Sequence, residues 1–242
     1  MRFDELRKPE EIIEYQKQVL SRTGGRTADE AKLFHYTSID SLLKMINSGY
    51  IWMSSPRNMN DVLEGELIKY NGISDLYFAS FSRTNQNIAM FAMYAPEPDG
   101  VMLSISISSA RSMLSQKPVL VEKAEITGKE VDAQLYWTGV CYKDLDSNRI
   151  TTPGQENHHV SNPLKALAGI VKLSGWEYEK EVRLCANKML FAEQKLAVRL
   201  PKNIGVVLCP YFNKEKNKEK LAELIANGII VEPSIYESWI KL

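Results

Sequence analysis

The stretch Leu33–Ser54 (LFHYTSIDSLLKMINSGYIWMS) constrains the rest of the chain more than any other. It reads as a short strand ending near His35, a helix, a glycine stop and a second strand. Thr37 or Ser38 is placed to cap the helix by accepting a free backbone N–H. Ile39, Leu42, Leu43 and Ile46 share one helical face, and Gly49 can take the left-handed turn that ends it. His35 therefore stands at the mouth of a strand-to-helix connection. On residue type alone it is either a partly buried histidine bonded to backbone or a functional imidazole.

A second stretch, Tyr77–Ser82, alternates as a strand and runs into a helix capped by Thr84 or Asn85, with Ile88, Phe91, Ala92 and Ala95 as its buried stripe. Such a junction brings the Ser82 hydroxyl, the Arg83 guanidinium and free backbone N–H groups to one point, an anion-binding corner or an ordinary connection. In a third stretch, Trp176–Leu184, strand periodicity puts Glu177, Glu179, Glu181 and Arg183 on one side. Repeated carboxylates on a strand face repel unless solvated, paired with Arg183 or kept for a task.

The remaining segments read as scaffold. Residues 1–32 are expected to be a helical extension, with Pro9 in a first turn and a break at Gly24-Gly25. The loop Ser55–Glu66 carries Asn60, Asp61, Glu64 and Glu66, whose spacing suits turn and cap chemistry better than a calcium loop. Strands are expected over 101–107, 118–126 and 134–143, and a surface loop over 144–163. A helix over 163–173 follows the loop. After the third stretch come strands over 195–200 and 204–209, a helix over 214–227, and strands over 228–232 and 235–242. Glu156, His158 and His159 do not make a metal site, because adjacent loop histidines cannot easily share one ion and no third ligand has helical spacing. No metal is expected.

Composition excludes some functions. The 30 basic and 30 acidic side chains cancel, so no broad footprint for duplex DNA is indicated. The three widely spaced cysteines, Cys141, Cys185 and Cys209, form neither a zinc pattern nor a disulfide frame. The charged start, without a signal-like or membrane-spanning apolar run, leads us to expect a cytoplasmic protein with no membrane partner. With no repeat, linker or composition break, residues 33–242 are expected to be one α+β domain.

Together, His35-Tyr36-Thr37, Asn60-Asp61 with Glu64, Phe81-Ser82 with Tyr94, and Trp176 with Glu179, Glu181 and Arg183 resemble a bacterial family. It is the one catalogued as domain of unknown function twenty-nine seventy-one, whose members often sit among phage-defence and toxin-like genes. The chain departs from that pattern at Val62, where the family has proline, and near Phe91, where it tends to tryptophan. More distantly, the order of elements is similar to the ADP-ribosyltransferase fold of diphtheria-toxin and poly-ADP-ribose-polymerase type. That resemblance implies a mixed, mostly antiparallel split sheet flanked by helices, with NAD as substrate. It implies that His35 holds a ribose hydroxyl, that the backbone of Tyr36 binds the nicotinamide amide, and that Tyr77, or its rival Tyr94, stacks on the nicotinamide. Glu181 or Glu179 would be the catalytic carboxylate, with Thr37, Ser82 and Arg83 also at the cofactor. The implied partners are a nucleic-acid or protein acceptor and an antitoxin.

The chemistry fits those residue types. Breaking the nicotinamide–ribose bond needs no general acid, since the pyridinium leaves neutral. It needs positioning and negative charge beside the developing oxocarbenium ion, which one carboxylate can supply. The absence of a glycine-rich fingerprint excludes a Rossmann mode of dinucleotide binding. Two other classes remain open from sequence: a non-catalytic nucleotide- or partner-binding sensor, and a metal-dependent nuclease using Asp61, Glu64 and the late glutamates.

Overall fold

The computed structural model describes residues 20, 31–55, 64, 76–143, 171–188, 190 and 194–237. β1 (Lys32–Ser38) leads directly into α1 (Ile39–Ser48) and β2 (Tyr50–Met53). The Ser38 side chain caps α1 by accepting from the Ser41 N–H. Gly49, at φ 73°, turns its N–H back onto the carbonyls of Met45 and Ile46.

The later elements are β3 (Leu76–Ser82), α2 (Ile88–Tyr94), β4 (Gly100–Ser106), α3 (Ile107–Ser112), β5 (Val119–Glu122), β6 (Glu125–Glu130), β7 (Leu135–Gly139) and β8 (Cys141–Lys143). They continue with β9 (Val171–Leu173), a 3₁₀ turn (Ser174–Glu179), β10 (Glu181–Asn187), β11 (Lys195–Arg199), β12 (Ile204–Leu208), α4 (Lys218–Ala226) and β13 (Ile230–Glu232). A seven-stranded sheet has the order β13-β12-β4-β1-β3-β10-β7, antiparallel except for β12 with β13. A second sheet runs β2-β11-β5-β6, and β8 and β9 form a parallel pair. The architecture is the expected mixed, mostly antiparallel one with helices.

One face of the large sheet presents Leu33, Tyr77, Ala79, Phe81, Trp137, Val182 and Leu184, which bury against Ile51, Met53, Leu120, Leu196 and Val198 of the second sheet. α1 and α4 cover the β4–β12 side of the sheet through Ile39, Leu42, Leu43 and Leu224. Phe34, Tyr36 and Met102 pack instead against α2 through Met90, Phe91 and Ala95. Gly100 is required where β4 begins, because a Cβ there would stand 1.8 Å from the Ala95 carbonyl oxygen.

The sheet is not evenly zipped. β1 pairs with β4 along all of Lys32–Ser38, but with β3 at one position only, Phe34 opposite Ser82. Beyond it the two strands diverge, and a cavity opens at the divergence.

Several expected elements differ. The strand expected over 118–126 is a hairpin, β5 and β6, turned at Lys123 and Ala124, both at positive φ. That expected over 134–143 breaks at Val140 into β7 and β8, which lie in different sheets. Val171–Leu173 is strand rather than helix end, because it pairs with β8. Residues 174–179 coil into a 3₁₀ turn before β10, so strand alternation starts only at Glu181. Ser234–Glu237 is a turn rather than strand. Lys32, placed in the extension by sequence, already belongs to β1. The rest of the extension apart from Leu20 and Ala31, the Asn60-Asp61 motif and Glu156, His158 and His159 lie outside the described residues.

Candidate active site

β3 and β10 pair with Ser82 opposite Glu181, Ser80 opposite Arg183 and Phe78 opposite Cys185. Residues facing one another across an antiparallel pair share a face. Glu181, Arg183, Ser80, Ser82 and Phe78 therefore lie together, while the neighbouring Tyr77, Ala79 and Phe81 enter the core behind. Across the divergence stands β1. A cavity of ≈ 210 Å³ occupies the gap, lined among others by His35, Tyr36, Tyr94, Lys172, Glu179, Glu181 and Arg183.

His35 holds the place where a β1–β3 ladder bond would otherwise run. Its Nδ1 lies 2.7 Å from the Ser80 carbonyl oxygen. A carbonyl only accepts, so Nδ1 carries the proton, and a neutral ring then leaves Nε2 as a bare acceptor. Burial lowers the pKa of His35, only partly opposed by the Ser80 bond, which keeps the ring neutral.

Opposite it is a buried ionic cluster. Arg183, 1% exposed, meets Glu181 side-on, Nε to Oε1 at 2.7 Å and Nη2 to Oε2 at 3.0 Å. It meets Glu64 end-on, through Nη1 to Oε1 and through Nη2 to Oε2 at 3.0 Å. The Phe78 ring caps the guanidinium at 4.5 Å. Lys172 Nζ bridges the two candidate glutamates, 2.7 Å from Glu179 Oε2 and 2.8 Å from Glu181 Oε2. The Tyr94 hydroxyl donates to the other oxygen of Glu179.

These contacts separate the carboxylates electrostatically. Burial alone would raise the Glu181 carboxyl, but Arg183 and Lys172 together hold it down at about 2. For Glu179 burial wins over Lys172 and the Tyr94 bond, and its pKa is raised. Glu64 is raised by burial in the same way, against Arg183. Tyr94 is pushed up by burial and by donating to Glu179. Glu181 is thus the carboxylate held most firmly in its charged form. Among the described residues its Oε2 accepts from Arg183 and Lys172 and its Oε1 from Arg183 only. Oε1 keeps an open acceptor position, since a carboxylate offers about four in all.

A clip of hydrogen bonds holds the second wall. The Ser82 hydroxyl donates to the Glu179 carbonyl at 2.6 Å and accepts from the Thr84 N–H at 2.8 Å. The Tyr36 hydroxyl donates to the Thr84 carbonyl at 2.7 Å and accepts from the Asn87 N–H at 3.0 Å. The Arg83 N–H donates to the Lys180 carbonyl at 3.1 Å. Lys180 itself adopts φ 44°, ψ 48°, a left-handed conformation costly for a residue with a Cβ. That kink lets Glu179, at the end of the 3₁₀ turn, and Glu181, at the start of β10, converge on one ammonium. Glu177 points outward and pairs with Lys180 in solvent.

Of the residues picked from sequence, His35, Tyr36, Ser82, Tyr94, Glu179 and Glu181 line the cavity. Thr37, Tyr77 and Arg83 do not. Tyr77 is buried in the opposite-face core, one residue out of phase with Phe78, which does line the cavity. Thr37 is buried opposite Val101 on the β4 side. Sequence reading missed Lys172, expected on a helix, and it named Glu64 and Arg183 as motif residues without assigning either to the cofactor site. The available signal was the run Glu179-x-Glu181-x-Arg183, whose two acids call for a second cation if they are buried. Among the described residues no group of three His, Cys, Asp or Glu side chains is placed to hold a metal ion. The oxygens of Glu64, Glu179 and Glu181 are directed at Arg183, Lys172 and Tyr94 instead.

No family model matches the chain, so the resemblance to domain of unknown function twenty-nine seventy-one has no model match behind it. No curated protein matches either. Among solved structures the fold is similar to that of a DNA-bound and a cofactor-bound protein of one kind. These are Thermus sp. 2.9 DarT in complex with carba-NAD+ (13% identity, TM-score 0.37) and the same protein in complex with ADP-ribosylated ssDNA (12% identity, TM-score 0.38). Each match covers 86% of this chain and 96% of the other. At TM-scores this low, the reading of function rests on the cavity itself.

Proposed function

We propose that the chain is an NAD-dependent ADP-ribosyltransferase that modifies a macromolecule, nucleic acid or protein, as a toxin or phage-defence effector held in check by an antitoxin. One observation carries the reading: His35 and Glu181, far apart in sequence, line one cavity, each with an acceptor unused among the described residues. Two acceptors at one cavity suit the hydroxyls of a ribose.

Charge supports the same substrate. Among the described residues Glu64, Glu179 and Glu181 line the cavity together with Lys172 and Arg183. Glu181, held in its charged form by Arg183 and Lys172, is the negative group that a pyridinium, and the oxocarbenium ion that forms as it leaves, would meet there.

In this mechanism Glu181 accepts a hydrogen bond from the 2′-hydroxyl of the nicotinamide ribose through Oε1. His35 Nε2 accepts from another ribose hydroxyl, the Tyr36 backbone meets the amide, and Tyr94 is the aromatic beside the ring. The C1′–N bond breaks, its electron pair neutralises the pyridinium, and the positive charge moves to C1′ and the ring oxygen beside fixed Glu181. The acceptor nucleophile then bonds to C1′ and gives up its proton to solvent, and nicotinamide leaves neutral.

The test is incubation with NAD, with nicotinamide release followed by chromatography and transfer to single-stranded DNA or protein followed by mass spectrometry. Release and transfer are expected, with Glu181→Gln slower by about 10²–10³-fold. NAD binding without any release would replace the enzyme with a sensor. No binding at all would overturn both.

A further inference from the structure

Lys172 has an ammonium group almost wholly out of water, yet it serves no core and no surface. It spends two of its three N–H groups on Glu179 and Glu181, and the Trp176 ring lies 5.7 Å away. Among the described residues the groups that face this pair are Arg183 on β10 with Glu64 behind it, Tyr94 on α2, Tyr142 on β8 and Tyr178 on the 3₁₀ turn. Of these only Arg183 is cationic, and it contacts Glu181 but not Glu179 in the hydrogen bonds described. Two carboxylates brought this close in a dry site cannot both stay ionised unless a cation stands between them.

We propose that Lys172 is a positioning residue, which ties Oε2 of Glu179 and Oε2 of Glu181 to one point and so leaves Oε1 of Glu181 directed at the substrate sugar. The inference deepens the transferase reading and rests on it. Lys172 is given no role in bond breaking. Its removal splits a chain of contacts that runs Tyr94–Glu179–Lys172–Glu181–Arg183–Glu64.

Lys172→Gln and Lys172→Arg variants of the full chain test this, read by nicotinamide release against pH and by carbon-13 NMR titration of the glutamate side-chain carboxyls. Lys172→Gln should lower kcat by at least roughly tenfold and move the acid limb of kcat/KM to higher pH by about one unit. The Glu181 carboxyl should titrate upward with it. Lys172→Arg should return the limb most of the way, because it restores a cation. A packing role alone would lower the melting temperature without moving either titration. A Lys172→Gln protein with the parent's pH profile and the parent's Glu181 titration overturns the inference. A parent that leaves NAD intact while Lys172→Gln still shifts Glu181 overturns the transferase reading and keeps the bridge.

Discussion

Glu181 and Arg183 stand two residues apart on β10 and meet side-on, with 2.7 Å between Arg183 Nε and Glu181 Oε1. Strand periodicity puts both on one face, and burial turns what would be a weak surface pair into a fixed unit. Because Arg183 also grips Glu64 through two nitrogens, one guanidinium orders two carboxylates.

Arg183→Lys is therefore not conservative. An ammonium cannot serve two carboxylates bidentately or lie flat on Phe78. We expect a loss of about 3–5 kcal/mol in chemical denaturation, the range for breaking a buried pair. A loss below ~1 kcal/mol would mean the pairs contribute no more than exposed ones do.

His35→Asn separates the two nitrogens of the imidazole. An asparagine amide N–H can replace Nδ1–H against the Ser80 carbonyl, but nothing replaces Nε2. The expected outcome is a protein of near-parent stability whose KM for NAD rises about tenfold, the equivalent of ~1.4 kcal/mol for one lost hydrogen bond. An unchanged KM would remove His35 from the sugar site.

Stability should depend on pH with two opposite signs. Glu181 is held at about 2 in the folded state against an ordinary 4.5, so its contribution is present above pH 4.5 and lost as pH falls from there toward 2. The full effect is about 3 kcal/mol. Glu179 and Glu64 are shifted up, so the folded state holds their protons more tightly and stability falls as pH rises past 4.5 until they ionise. Denaturation midpoints from pH 2 to 8 should show both slopes. Glu179→Gln should reduce the second to the share that Glu64 contributes, and an unchanged slope would assign it elsewhere.

Lys180→Gly should be more stable than Lys180→Ala by about 0.5–1 kcal/mol, because only glycine adopts φ 44° without cost. Both lose the same exposed contact with Glu177, so thermal unfolding of the two isolates the backbone. Equal melting temperatures would show that the kink relaxes.

Local chemistry by itself determined the strand–helix–strand of β1, α1 and β2. Ser38, the Ile39–Leu42–Leu43 face and Gly49 act within a few residues of one another. The start of α2 is different: Asn87 caps it, not Thr84 or Asn85 as expected, and β4 is buried on both faces. His35, Tyr94, Glu179 and Glu181 were legible as candidates from the motifs they belong to; Tyr94, Glu179 and Glu181 stand at the ends of elements, whereas His35, expected where its strand ends, lies in the middle of β1. Tertiary structure decided what they face. Whether residue 77 or 78 meets the cavity is a matter of one-residue phase, set by which face of β3 the second sheet buries. Val171–Leu173 is a strand only because β8 lies beside it, and Lys172 reaches the glutamates only from there. Charges that interact through space carry no periodic signature along the chain, so the Glu64–Arg183–Glu181–Lys172–Glu179 cluster exists only once the strands have diverged and closed around it.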